Sequence, residues 1–295
     1  MDHVTQIIAK YKANAITPYV GYPNELLDDV IMSKLYVGLN LTNEGYFDKA
    51  LKVRKWSTDN YFSKYREKNA EKDWKTHANA ISTEYSYNNK DNSIAFPAGI
   101  LQPIFFYKNG PKNLNFGALG SLIGHEITHG FDNKGRKYFV NGKRFDWWSF
   151  FARNTFEAKT ECIIDQYNTY LNYKDPKNNV DIMVDGNKTH VENLADSAGL
   201  KLAYRAYQTW VKHHGGDLKL PGLKYNQNQL FWISAGRALC GEANLDYIMK
   251  GGSNGQYFLP EARLNGQISN LEEFSKDFNC APNQFMNRND KCQIW

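Results

Sequence analysis

Apolar positions recur at helical spacing through most of the chain. From residue 1 to about 75 they alternate with Lys, Glu and Asp, which predicts amphipathic helices broken at Gly21-Tyr22-Pro23. The pattern changes over 81–106. Ser93-Ile-Ala-Phe-Pro97, followed by Ala98-Gly-Ile-Leu-Gln-Pro103, is apolar and punctuated by proline. That predicts an edge strand, because Pro97 and Pro103 exclude a central strand and a helix interior. Over 115–131, Leu119, Leu122 and Ile123 return to helical spacing despite several glycines, which imply close packing against a neighbour. Residues 147–171 predict another helix. Lys174 to His190 is polar, with turn signals at Asp175-Pro176 and Asp185-Gly186. Further helices are predicted over 191–213, 227–249 and 271–279, with a loop at Gly251–Gly255. The fold class is mainly α with a little β, and neither an internal repeat nor a low-complexity linker is present.

Composition narrows the function classes. The chain has 295 residues, 42% of them apolar and 15% aromatic, enough for a large core and against disorder. Its net charge is +5, and the basic residues are scattered, so there is no nucleic-acid footprint. No window approaches 18 uninterrupted apolar residues, so no transmembrane helix is encoded. The first residues, Met1-Asp-His-Val-Thr-Gln-Ile-Ile, lack the basic start and apolar run of a signal peptide. Cys162, Cys240, Cys280 and Cys292 permit two disulfides in three connectivities, or four buried thiols. Asn40-Leu-Thr42 and Asn187-Lys-Thr189 are glycosylation sequons, a weak sign of secretion.

The chemistry concentrates in Gly124-His125-Glu126-Ile127-Thr128-His129-Gly130-Phe131. On a helix, positions i and i+4 share a face, so His125 and His129 can hold one Zn²⁺ together. Glu126 lies one residue on, near enough to take a proton from water activated there. A zinc site needs a third protein ligand, and Glu192 in Val191-Glu-Asn-Leu-Ala-Asp196 is the candidate. The alternative for Glu192 is a first-turn carboxylate favoured by the helix dipole. Asp196, at i+4, could accept the second ring N–H of a ligand histidine. Asp132, three residues after His129, could do the same or could cap the turn before Asn133-Lys-Gly135.

Beyond the metal motif, Phe96-Pro-Ala-Gly-Ile-Leu-Gln-Pro103, Ile123-Gly-His-Glu-Ile-Thr-His-Gly-Phe-Asp132, Val191-Glu-Asn-Leu-Ala-Asp196, Ala203-Tyr-Arg-Ala-Tyr207 and Cys292-Gln-Ile-Trp295 occur in order. In these the chain resembles the catalytic part of the neprilysin family of zinc metallopeptidases (M13), which includes the endothelin-converting enzymes. The resemblance begins near residue 10 and runs to the C-terminus. It implies a thermolysin-like zincin domain over 81–295, with a small β-sheet edge carrying the substrate strand, and a helical segment over 1–80 packed on that core. It implies one zinc ion on His125, His129 and Glu192, Glu126 as general base, Asp196 as a residue that matters for catalysis, and Arg263 holding a substrate carbonyl. Family members cleave short peptides near hydrophobic residues outside cells, at the cell surface or beyond.

Three departures stand out. The family's substrate strand reads Asn-Ala-(Phe/Tyr)-Tyr where this chain has Glu84-Tyr85-Ser86-Tyr87, so Glu84 offers only acceptors and Tyr85 adds bulk. The family places a histidine just before the arginine matching Arg263; this chain has none after His214, and Tyr257 could donate its O–H instead. Loss of one oxyanion donor costs about 10²–10³ in rate. Finally, the family has an N-terminal cap domain behind a membrane anchor, so the chain is expected to be a fragment of a longer gene product or a truncated paralogue. In the family the cysteines matching Cys162 and Cys292 pair, and those matching Cys240 and Cys280 pair with the cap; here these two are expected as orphans or as each other's partner. Two functions follow: a zinc endopeptidase of reduced activity, or an impaired zinc-bound pseudo-peptidase acting as a peptide-binding or decoy module.

Overall fold

The computed structural model describes residues 1–63, 65, 79–175, 180–241 and 260–294. The expected loop at 251–255 and Tyr257 lie outside the described residues. The elements run α1 (His3–Asn14), β1 (Thr17–Gly21), α2 (Asp29–Leu35), α3 (Tyr46–Ser63), β2 (Ser86–Asn88), β3 (Ser93–Pro97), α4 (Lys112–Gly117), α5 (Leu119–His129), α6 (Phe150–Asn168), β4 (Leu171–Asp175), β5 (Val180–Met183), α7 (Gly186–His214), α8 (Gln227–Ala238), α9 (Pro260–Ser269) and α10 (Glu272–Asp277). Helices dominate, as the apolar spacing predicts. No described helix is long and apolar enough to cross a membrane.

The sheet corrects two expectations. Its order is β1-β3-β2, with β1 parallel and β2 antiparallel to β3. Ser93–Pro97 is therefore the central strand, not an edge. All five of its residues are buried, and Pro97 sits at the last position, next to Gly21 of β1 and beyond the end of β2, where a missing N–H breaks little. The edges are β1 and β2, and β2 continues Glu84-Tyr85. Thr17–Gly21 lies in a stretch expected to be helical, yet it is a strand because β3 offers it a parallel partner.

Smaller differences follow the same logic. The helix expected over 115–131 breaks at Ala118, which is fully buried with ψ −81°. The polar stretch over 174–190 supplies much of a β4–β5 hairpin and the start of α7, whose first turn is capped by the Asp185 side chain on the Lys188 N–H.

α7 is the spine. Its Leu194 belongs to a core with Trp147, Trp148, Phe156, Ile163, Tyr167 and Cys292. Its Leu200, Tyr204 and Tyr207 belong to a second core with Phe231 and Trp232 of α8. A third core joins Ile94 and Phe96 of β3 to Leu122 of α5. α5 packs along α7 so closely that a Cβ on Gly124 would stand 2.3 Å from the Gly199 carbonyl, and one on Gly199 would stand 2.4 Å from the His125 nitrogen. The close approach inferred from the glycines of this stretch is thus a helix–helix contact. It sets the backbone of His125 directly against α7. A disulfide joins Cys162 of α6 to Cys292 across 130 residues, while Cys240 and Cys280 are free thiols.

Candidate metal centre

α5 ends at His129, so His125 and His129 face outward from its last turn while Glu126 lies beside them. Their rings meet edge to face, centroids 4.6 Å apart. The Gly124–Gly199 contact brings the second turn of α7 opposite, which delivers Glu192. α7 begins at Gly186, so Glu192 is past the first turn and the helix dipole is not what places it there.

Three atoms converge. His125 Nε2 and His129 Nε2 are 3.0 Å apart, and Glu192 Oε2 lies 3.3 Å from the first and 3.7 Å from the second. A point about 2.0 Å from all three exists at the centre of this triangle, the bond length zinc makes with imidazole and carboxylate. His125, Glu126 and His129 also offer ligand atoms within 4.8 Å of one another. Of the two carboxylates, Glu192 reaches both imidazoles, whereas Glu126 stands 3.9 Å from His125 Nε2; Glu192 therefore closes the triangle and Glu126 flanks it.

The surrounding hydrogen bonds fix the tautomers. His125 Nδ1 donates to Asp196 at 2.8 Å, and His129 Nδ1 donates to Asp132 at 2.7 Å. With each proton on Nδ1, both Nε2 atoms present lone pairs to each other and to Glu192 Oε2, a buried oxygen with no hydrogen-bond donor. Such a set suits a bound cation. Burial opposes charge on His129, but its bond to Asp132 and the nearby Glu192 carboxylate outweigh this and lift it to about 10. Burial likewise opposes charge on Glu192, yet the two imidazoles drive its carboxyl far below the usual range. Both directions report a site built to bind positive charge. The donor set of two imidazoles and one carboxylate suits zinc.

Each residue singled out in the sequence, Tyr257 apart, can now be placed. Asp132 does both of its anticipated jobs: one oxygen meets His129, the other accepts the N–H groups of Lys134 and Gly135 at 2.8 and 2.6 Å. Asp196 accepts from His125 and also from Arg263, through Nε at 2.8 Å and Nη2 at 2.7 Å. Burial raises the Asp196 carboxyl, but Arg263 and His125 hold it at about 2. Arg263, on α9, thus grips Asp196, a link that sequence spacing could not reveal. Glu126 is buried, its carboxyl raised by burial against the pull of the imidazoles. Tyr85 stacks on Phe96, centroids 5.6 Å apart, and burial lifts its hydroxyl to about 12. Glu84 is exposed.

Comparisons with known proteins identify the family. Residues 85–294 match the model of peptidase family M13. Neprilysin-2 of Drosophila melanogaster is 39% identical over the whole chain, and human endothelin-converting enzyme 1 is 36% identical. The chain spans 38% and 37% of their respective lengths, under two fifths. Among solved structures, the Mycobacterium tuberculosis zinc metalloprotease ZMP1 in complex with inhibitor superposes with TM-score 0.80 and 26% identity, over all of this chain and 43% of that one. A Haemonchus galactose-containing glycoprotein complex superposes with TM-score 0.84 and 27% identity, over 99% of this chain and 47% of that one. With the family model matched over most of its length and its zincin fold in place, this chain belongs to peptidase family M13.

Proposed function

We propose that this chain is the catalytic part of a zinc-dependent endopeptidase that hydrolyses short peptides near hydrophobic residues. The observation that carries the reading is the convergence of His125 Nε2, His129 Nε2 and Glu192 Oε2, with Glu126 beside them. These three residues would hold one zinc ion. When bound, zinc supplies a Lewis acid that acidifies water and polarises a carbonyl oxygen. Glu126 takes the proton of the attacking water and later delivers it to the leaving amine nitrogen. Its burial keeps the carboxyl basic enough for that exchange. Asp132 and Asp196 hold the two imidazoles in the Nδ1–H tautomer, and Arg263 fixes Asp196. Glu84 and Tyr85 line the approach of the peptide, and Tyr257 donates to the scissile carbonyl oxygen. The Cys162–Cys292 bond supports an oxidising compartment, in keeping with an extracellular or cell-surface location of the whole protein.

A second reading, a zinc-bound pseudo-peptidase that binds peptides without cleaving them, draws on Glu84: an exposed acceptor-only side chain stands where the family pattern has asparagine. Turnover of a quenched hydrophobic peptide separates the two. Glu126→Gln should abolish turnover, by about 10²–10⁴, with zinc content unchanged. A wild-type chain that holds zinc and never cleaves leaves the second reading standing.

A further inference from the structure

Lys12 is fully buried, with 0% of its surface exposed, in a helix whose one other lysine, Lys10, faces solvent. Its ammonium donates to three backbone carbonyls, Gly130 at 2.7 Å, Gly135 at 2.8 Å and Tyr138 at 2.7 Å. All three N–H donors of the group are thereby used. The rings of Phe131, Trp147 and Tyr87 surround it, with centroids 5.5, 5.9 and 6.0 Å away. A buried charge of this kind is expensive unless it organises something.

What it organises is the chain leaving the metal helix. Gly130 follows His129 directly, and Gly135 donates its N–H to Asp132 Oδ1 while Asp132 Oδ2 accepts from His129. The turn is folded tightly: a Cβ on Gly135 would stand 1.8 Å from the His129 carbonyl. A second path runs from the same residue. The Lys12 carbonyl accepts from Asn92, and Asn92 accepts from the Tyr87 hydroxyl at 2.6 Å, which ties Lys12 to β2.

We propose that Lys12 is a positioning residue of the metal centre, clamping the turn over 130–138 so that Asp132 stays locked on His129. This rests on the zinc reading above. Charge and hydrogen bonds act together: the ammonium draws the carbonyls inward and also faces the Asp132 carboxylate, which favours its charged form against the burial that lowers it to about 8.

The test is a double-mutant cycle on zinc affinity, read by chelator competition with the whole chain. Lys12→Met should weaken zinc binding about 10- to 100-fold while far-UV dichroism and the Cys162–Cys292 bond persist. In an Asp132→Asn background the same change should cost under about 3-fold, because the carboxylate that Lys12 serves is already gone. Equal losses in both backgrounds, or none in the first, overturn the proposal and leave Lys12 a general stabiliser. If Lys12→Met does not fold, the wild-type chain decides: the Lys12 ζ-¹⁵N resonance should shift when one equivalent of zinc is added to the apoprotein, and a stationary resonance overturns the proposal. A wild-type chain that binds no zinc at all refutes the functional reading instead.

Discussion

Gly199→Ala adds one methyl group at the point where α7 touches α5. The new Cβ would lie 2.4 Å from the His125 nitrogen and 2.7 Å from its Cα, whereas ordinary contacts begin near 3.4 Å, so the helices must part by about 1 Å. Neither neighbour is the flexible end of a side chain, so rotation cannot absorb the clash. Overpacking of this kind costs about 3 kcal/mol, the upper part of its usual range. For a chain of 295 residues, at about 2.1 cal/mol/K of unfolding entropy per residue, that lowers Tm by roughly 5 °C. The same displacement moves His125 away from Glu192 by more than the roughly 0.2 Å that zinc ligation tolerates, so zinc affinity should fall at least about tenfold. Gly120→Ala is the control. It lies on the same helix α5, but its nearest neighbours are 3.6 Å or farther away, and alanine there should stabilise by about 0.5–1 kcal/mol through helix propensity. Differential scanning calorimetry of the apoproteins and chelator competition measure both effects. A Gly199→Ala chain with wild-type Tm and zinc affinity, or a Gly120→Ala chain equally destabilised, refutes the claim that the glycine contact sets the ligand geometry.

Asp196→Asn removes the counter-charge from both Arg263 and His125; urea unfolding in the presence of chelator should show a loss of about 3–5 kcal/mol, with zinc affinity reduced about 10- to 100-fold. Cys292→Ser opens a loop of 130 residues and should cost up to about 5 kcal/mol, seen as a lower urea midpoint that reducing agent does not lower further. Asp277→Ala deprives Tyr204, Trp232 and Asn228 of one shared acceptor, at 2.7, 2.7 and 3.0 Å, and should cost about 2–3 kcal/mol without changing zinc content. Tyr257→Phe should lower peptide turnover about 10²-fold with zinc retained; unchanged turnover removes Tyr257 from the mechanism.

The metal helix was legible because its chemistry is local. His125, Glu126 and His129 fall within five residues, and helical spacing alone puts the two imidazoles on one face. Glu192 and Asp196 repeat that logic on α7. What the sequence concealed is what depends on distant partners. Thr17–Gly21 is a strand only because Ser93–Pro97, some seventy residues on, supplies its pairing, and β3 is central for the same reason. The bond between Arg263 and Asp196 is concealed in the same way, because it joins α9 to α7 across 67 positions. Lys12 reads as one more solvated lysine of an amphipathic helix, since nothing near it in the chain announces three carbonyls gathered more than a hundred residues away.

On the endopeptidase reading proposed above, the position of β2 at an edge of its sheet would have a consequence for what the site selects. An extended chain laid along that border is recognised through amide groups that every residue shares, and side chains contribute only where they meet a wall. Selection then falls on conformation before composition: a segment must be unpaired and able to straighten. Strands already paired inside a folded protein are invisible to such a border, while loose oligopeptides are open to it. On that reading, a proline or an N-methylated residue at a bonding position, which lacks the required hydrogen, would shield its neighbours from hydrolysis.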